Sequence, residues 1–213
     1  VALPELTARF RQARERRAAW ESLWQDCYAH AAPRREAERG AAADTPYDGT
    51  AAEAVEQLAA SLLAELTPPW SAWLGLAPAP TVHSGEAAAL APELETATRT
   101  ALGHFHRSNF TVEVHQCFLD LACVGTATLA LEEAPTGAAT ALRFTAVPAR
   151  DVYVEAGPGG QVRGHYRVNR LRADDLVRRW DPSRLGRELL ERIRRERDRA
   201  VEVVEAVLAE GSG

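Results

Sequence analysis

The 213-residue chain has no lysine, so all 25 of its basic residues are arginine. Without lysine there can be no Schiff-base nucleophile and no phosphate-loop lysine, and two reaction classes drop out. Cysteine is sparse and odd in number, at three. That excludes a disulfide framework and points to a reducing compartment. No apolar run approaches the roughly 20 residues that a bilayer-spanning helix needs. The N-terminus lacks the charged-then-apolar order of a signal peptide. A secreted or membrane-embedded protein is therefore not expected. Methionine is absent and the first residue is Val1, which suggests a processed or excised piece of a longer polypeptide. What is present is the balance of a globular protein, 46% hydrophobic and 26% charged, with net charge −5. A core can be buried at this length without staples.

The spacing of apolar residues predicts helices over about 5–30, 49–66, 92–107 and 110–124. In the first, Leu6, Phe10, Ala13, Arg17, Trp20, Leu23, Trp24, Cys27 and Tyr28 recur at three- and four-residue steps. Pro33, Gly40 and Pro46 make 31–48 a loop. Thr50 stands as a cap for the second helix, with Glu53 as its reciprocal partner, and Pro68-Pro69 ends it. Trp70–Leu76 (WSAWLGL) reads as a short extended segment. Pro92 suits the first turn of the third helix. The fourth has a stripe of Val114, Cys117, Phe118, Leu121 and Val124, with Thr111 as its cap.

After Gly125 the period changes from 3.6 to 2. Strands are expected over 126–131, 141–147, 150–154 and 161–169, with a strong turn at Gly157-Pro158-Gly159-Gly160. Short helices follow over about 173–180 and 183–199. The β-branched segment 200–208 reads as a last strand in need of a partner. The expected fold class is α+β: a mainly helical region over 1–125, then an antiparallel sheet with helices over 126–213, together one domain.

Chemistry is hard to place on this pattern. His104, His106, His115, Cys117 and Cys123 are the best metal candidates, since zinc takes His and Cys. Yet His104 and His106 point about 200° apart on a helix, and Cys117 fits the apolar stripe as a small hydrophobe. No Gly-x-Ser-x-Gly elbow occurs. His115 and Cys117, two apart on a helix, cannot form a dyad. Glu132-Glu133 and Asp174-Asp175 fall at element ends, where capping accounts for them. No catalytic residue, metal site or cofactor is assigned. The basic stretches 163–172 and 192–199 lie near balancing carboxylates, whereas tight DNA binding needs a clustered positive field. Only low-affinity proximity to DNA fits.

The order of the elements nonetheless resembles the head–tail connector (portal) proteins of short-tailed, podovirus-type bacteriophages. Four blocks carry the resemblance: RFRQARERRAAWESLWQDCYAHAAP, DTPYDGTAAEAVEQLAASLLAELTPPWSAWLGL, HFHRSNFTVEVHQCFLDLACVGTATLALEE and FTAVPARDVYVEAGPGGQVRGHYRVNRLRADDLVRRW. Together they span about residues 6–208, and their order and spacing match better than any one motif. Family members are far longer, so the chain is expected to be the N-terminal, wing-like part. The resemblance implies a structural subunit, not an enzyme, in a closed homo-oligomeric ring, commonly of about twelve copies. Such a ring sits at a capsid vertex of the virion and forms in the bacterial cytoplasm. Double-stranded DNA passes through it without sequence specificity while a separate terminase hydrolyses ATP. Capsid and tail proteins are the other partners. Tryptophan and arginine are enriched at interface hot spots, which makes Trp70, Trp73, Arg192 and Arg195 the candidate subunit-interface residues. Two rival readings are an α+β enzyme or ligand-binding domain, which requires a pocket with convergent polar groups, and a host or prophage-relic interaction module.

Overall fold

A computed structural model describes residues 2–32 and 48–209. The expected 31–48 loop lies largely outside them. Six α-helices and five strands occur among the described residues: α1 (Leu3–Ala31), α2 (Thr50–Leu66), α3 (Ser84–Arg107), α4 (Phe110–Val124), β1 (Thr128–Glu133), β2 (Leu142–Val147), β3 (Val152–Ala156), β4 (Val162–Arg172), α5 (Ala173–Arg179), α6 (Arg187–Arg195) and β5 (Ala200–Leu208). The fold is α+β, as the periodicity implies. The chain forms two compact units, one of residues 1–21 with 150–213 and one of residues 22–149.

In the first unit β3, β4 and β5 form an antiparallel sheet in that order. The register aligns Tyr153, Tyr166 and Ala206 across the three strands. The helical stripe Leu6, Phe10 and Ala13 packs against this row, with Val168 and Leu208 beside it. The Phe10 ring meets Tyr153 edge-on at 5.3 Å and Tyr166 at 5.5 Å. β5 needs no outside partner, because β4 pairs with it along its whole length. A second cluster joins α5, α6 and the sheet through Ala173, Leu176 and Ile193, with Leu171, Val201 and Val203 packed on it. The β3–β4 turn is where sequence placed it. It closes through Gly157 N to Gln161 O at 2.8 Å and Gly160 N to Gly157 O at 3.0 Å. Gly160 takes φ 77°, which glycine adopts without strain.

In the second unit α4 packs on both α2 and the β1–β2 hairpin. The expected single sheet is thus two separate ones. Pro148 has no N–H to continue the β2 ladder, and a 3-10 turn over Ala149–Asp151 ends the run before β3 starts. The free edge of β2 is closed by side chains. Phe144 N donates to Asn109 Oδ1 at 2.9 Å, Asn109 Nδ2 donates to Phe144 O at 2.8 Å, and Ala146 N donates to Glu113 Oε2 at 2.7 Å. An open strand edge invites unwanted pairing, and the start of α4 blocks this one.

Other local expectations shift. Asp48, not Thr50, serves the start of α2: its carboxylate accepts from Thr50 N at 2.8 Å and from Thr50 Oγ1. A carboxylate is the stronger acceptor at that helix end, where the dipole favours negative charge. Thr111 lies inside α4, and Ser108 Oγ accepts from Phe110 N at 3.1 Å instead. α3 begins at Ser84, eight residues before Pro92. The Ala-rich run 87–91 has enough helix propensity to tolerate an interior proline. α6 is shorter than expected, because Leu185 and Gly186 are extended and Glu196 leaves helical geometry. Leu121, placed on the buried stripe of α4, is 42% exposed, while Leu119 and Asp120 are buried. Two neighbours covering α4 turn its buried arc away from the single stripe that periodicity suggests.

Candidate functional site

Trp70 and Trp73 are three residues apart in one irregular segment, and the structure separates them. Trp70 is 75% exposed. Trp73 is half-buried and stacks on Phe110 with ring centroids 5.2 Å apart and planes within 11°. Phe105 meets Trp73 edge-on at 5.2 Å and Phe110 edge-on at 4.8 Å, and Phe144 lies 5.0 Å from Phe110. Four segments of the second unit therefore meet in one aromatic knot. Arg192 and Arg195 are exposed on α6, and Arg192 acts on Glu196, whose carboxyl is held below its ordinary range mainly by Arg199. Further large apolar side chains stand in solvent, among them Leu3, Val112, Leu131, Val162 and Val207. Sequence reasoning missed these, because period-based patterns identify which residues are apolar and not which of them stay uncovered.

The most developed polar constellation sits in the first unit. Arg9 grips Glu155 with two bonds, Nε to Oε2 at 3.0 Å and an NH2 group to Oε1 at 3.1 Å. Tyr166 OH donates to Glu155 Oε2 at 2.8 Å. The Arg17 guanidinium lies 3.5 Å over the Tyr153 ring and donates to the carbonyls of Arg150 and Val152 at 2.6 and 2.8 Å. That explains an arginine on an apolar stripe: its stem and guanidinium plane cover the tyrosine. The Arg9 bond holds the Glu155 carboxyl below its ordinary range. Burial, aided by the Glu155 carboxylate, pushes the Tyr166 phenol from 10.0 up to about 12.

Both shifts have stability consequences. A depressed carboxyl stabilises the fold above its unfolded pKa, and the contribution fades as pH falls through the folded value. A raised phenol stabilises the fold below 10.0, and the contribution fades as pH climbs towards about 12. Thermal melts should therefore weaken at both ends. Glu155→Gln should flatten the acid limb and Tyr166→Phe the alkaline one. Unchanged limbs in both variants would show that this network does not govern the pH response.

Of the sequence's metal and nucleophile candidates, His106 is exposed, while His104 and Cys117 hold local structure. His104 Nδ1 accepts from Ala141 N at 3.2 Å, and its carbonyl accepts from Thr140 Oγ1 at 2.9 Å, so it holds the β1–β2 turn. Cys117 is buried with Sγ 3.5 Å from Thr128 O. Asp120 is 2% exposed, with Tyr28 OH at 3.1 Å from Oδ1 and Ala149 N at 3.3 Å from Oδ2. Among the described residues no group of three or more His, Cys, Asp or Glu converges as metal ligands would. No described helix is long and apolar enough to cross a membrane.

The model of the bacteriophage head to tail connecting protein family matches residues 3–212, nearly the whole chain. A search of individually curated proteins gives no match. Family members are structural components of phage particles that join head and tail, which places the protein in the virion. The chain belongs to the bacteriophage head-to-tail connecting protein family.

Proposed function

We propose that the protein is a subunit of a portal ring at the capsid vertex, one copy in a closed homo-oligomer, with a channel for DNA packaging and ejection. It has no catalytic task in this reading; a terminase supplies the chemistry, and capsid and tail proteins dock on the ring. The observation that carries the assembly step is the solvent exposure of Trp70, at 75%, in a connector-family chain. A large aromatic left in water is costly unless a partner covers it, and tryptophan anchors interfaces more often than most residues. Arg192 and Arg195 supply the charged part of the proposed contact. Trp73 supports it from inside, by holding the segment that carries Trp70. The net charge of −5 disfavours a tight grip on DNA that must slide past.

Electron microscopy and native mass spectrometry of the full-length protein should show closed rings of about twelve copies. Trp70→Ala should weaken association by about thirtyfold or more, as for an interface hot spot. It should leave subunit stability within about 0.5 kcal/mol, as an exposed site does. A strictly monomeric full-length protein, or rings indifferent to Trp70, would overturn the reading.

A further inference from the structure

An open cleft of about 460 Å³ in the first unit is lined by Gln12 and Arg16 of α1, by Glu155 and Ala156 of β3, by Gly157 and Pro158 of the turn, and by Arg163 of β4. Its charge is unbalanced. Glu155, the one acid on the wall, is already held by both ends of the Arg9 guanidinium and by Tyr166. Arg16 donates only to the Ala156 carbonyl, at 3.5 Å. Arg16 also helps to hold the Glu155 carboxyl down from a distance, but neither Arg16 nor Arg163 makes a close salt bridge among the described residues. Two guanidinium forks with spare donors therefore border one solvent-open space, with a net charge there of about +2 after the Arg9–Glu155 pair cancels.

The turn is shaped around one of these forks. A Cβ at Gly157 would lie 2.8 Å from Arg163 Nε and 3.1 Å from its Cδ. Only glycine leaves room for the Arg163 side chain to fold back beneath the turn. The turn's own amides are spent internally, on Gln161 O, Gly157 O and Gln161 Oε1. The arginines are thus the donors on offer.

We propose that this cleft binds a phosphate group. Arginine forks match phosphate oxygens in bidentate geometry, and a cleft open to solvent admits either a free phosphate ion or one phosphodiester of a longer strand. The proposal concerns the surface of one subunit and does not depend on ring closure.

Two titrations of the full chain at low salt test it. One uses inorganic phosphate, followed by amide chemical shifts of residues 156–163. The other uses a short labelled DNA duplex, followed by fluorescence anisotropy. Saturable shifts with phosphate alone identify a free-ion site, whereas duplex binding that phosphate displaces only weakly identifies a strand-backbone site. In either case Arg16→Gln and Arg163→Gln should each weaken binding about tenfold. Gly157→Ala should weaken it comparably without changing net charge, because the new methyl evicts the Arg163 fork. Arg184→Gln and Arg187→Gln, each the same single charge change on an exposed position elsewhere, should each leave affinity within about twofold. Absence of binding to both probes overturns the proposal. So does binding that the cleft variants and the distant variants weaken alike, since that is net charge and not a site.

Discussion

Trp73→Ala should lower the unfolding free energy by about 3–5 kcal/mol, the range for deleting a large aromatic from a packed cluster. The indole contributes one stacked and one edge-on contact, to Phe110 and Phe105, both with centroids 5.2 Å away. Those two rings also pack on each other and on Phe144 of β2. Removing the indole leaves a void that three rings from rigid elements cannot close by small shifts. Leu63 of α2 and Leu129 of β1 lie against the same cluster and lose support as well. Trp73→Phe should recover part of the loss, because a smaller ring still offers a stacking face. Urea unfolding measures this directly. The contrast with Trp70→Ala is the sharper test, since the same substitution three residues earlier should be nearly silent for folding. Equal losses at both positions, or a loss under about 1 kcal/mol at Trp73, would mean that the aromatic knot is not what holds this unit together.

That pair of tryptophans also marks how far the sequence can be read. In WSAWLGL the sequence marks Trp73, Leu74 and Leu76 as wanting cover, and nothing in its spacing names Phe110 as what covers Trp73 while Trp70 stays in water. Local rules do better where a single element decides the outcome. Leu6, Phe10 and Ala13 fall on one helical face, and that face is the one on the sheet. The period-2 pattern after Gly125 marks the strands, and Gly157–Gly160 marks their tightest turn. The same rules fail where two elements compete. Pro148 sits between two good strand patterns, and the missing N–H splits them into separate sheets. Pro92 looks like a helix start, yet the alanines before it carry the helix back to Ser84. Asp48 accepts from Thr50 N, the first amide of α2, and its charge suits that helix end. The polar network is the least legible part. Arg9 and Glu155 are 146 residues apart in sequence, and neither has a local pattern that names the other. Of the cleft's two arginines, only Arg163 falls in a basic stretch, 163–172, that the sequence marks. Their cleft exists because the turn brings Arg163 back beside α1, a long-range fact that composition does not contain.

Asp120 had a sequence signal of its own: an acid inside FLDLACV, flanked on both sides by apolar residues. A charged group is tolerated on a buried helical arc only when its oxygens are satisfied. Here Oδ1 receives the Tyr28 hydroxyl and Oδ2 receives the Ala149 amide. One carboxylate thus serves α1, α4 and the segment that leaves β2. Asp120→Ala should cost about 2–4 kcal/mol, because it removes both of those buried bonds at once. Tyr28→Phe removes a donor along with its bond and leaves nothing unpaired on its own side, so its cost should stay near 1 kcal/mol. The double variant Tyr28→Phe with Asp120→Ala should then be less harmful than the sum of its parts, since both single variants remove the same Tyr28–Asp120 bond. Asp120→Asn is the finer probe. Its amide oxygen can still accept from one partner, but its NH2 group then faces a donor on the other side, so its cost should fall between those of Tyr28→Phe and Asp120→Ala. Hydrogen exchange supplies the local readout: the Ala149 amide should exchange faster in Asp120→Ala and keep its protection in Tyr28→Phe. An additive double variant with an unaltered Ala149 amide would show that the carboxylate does not couple these segments.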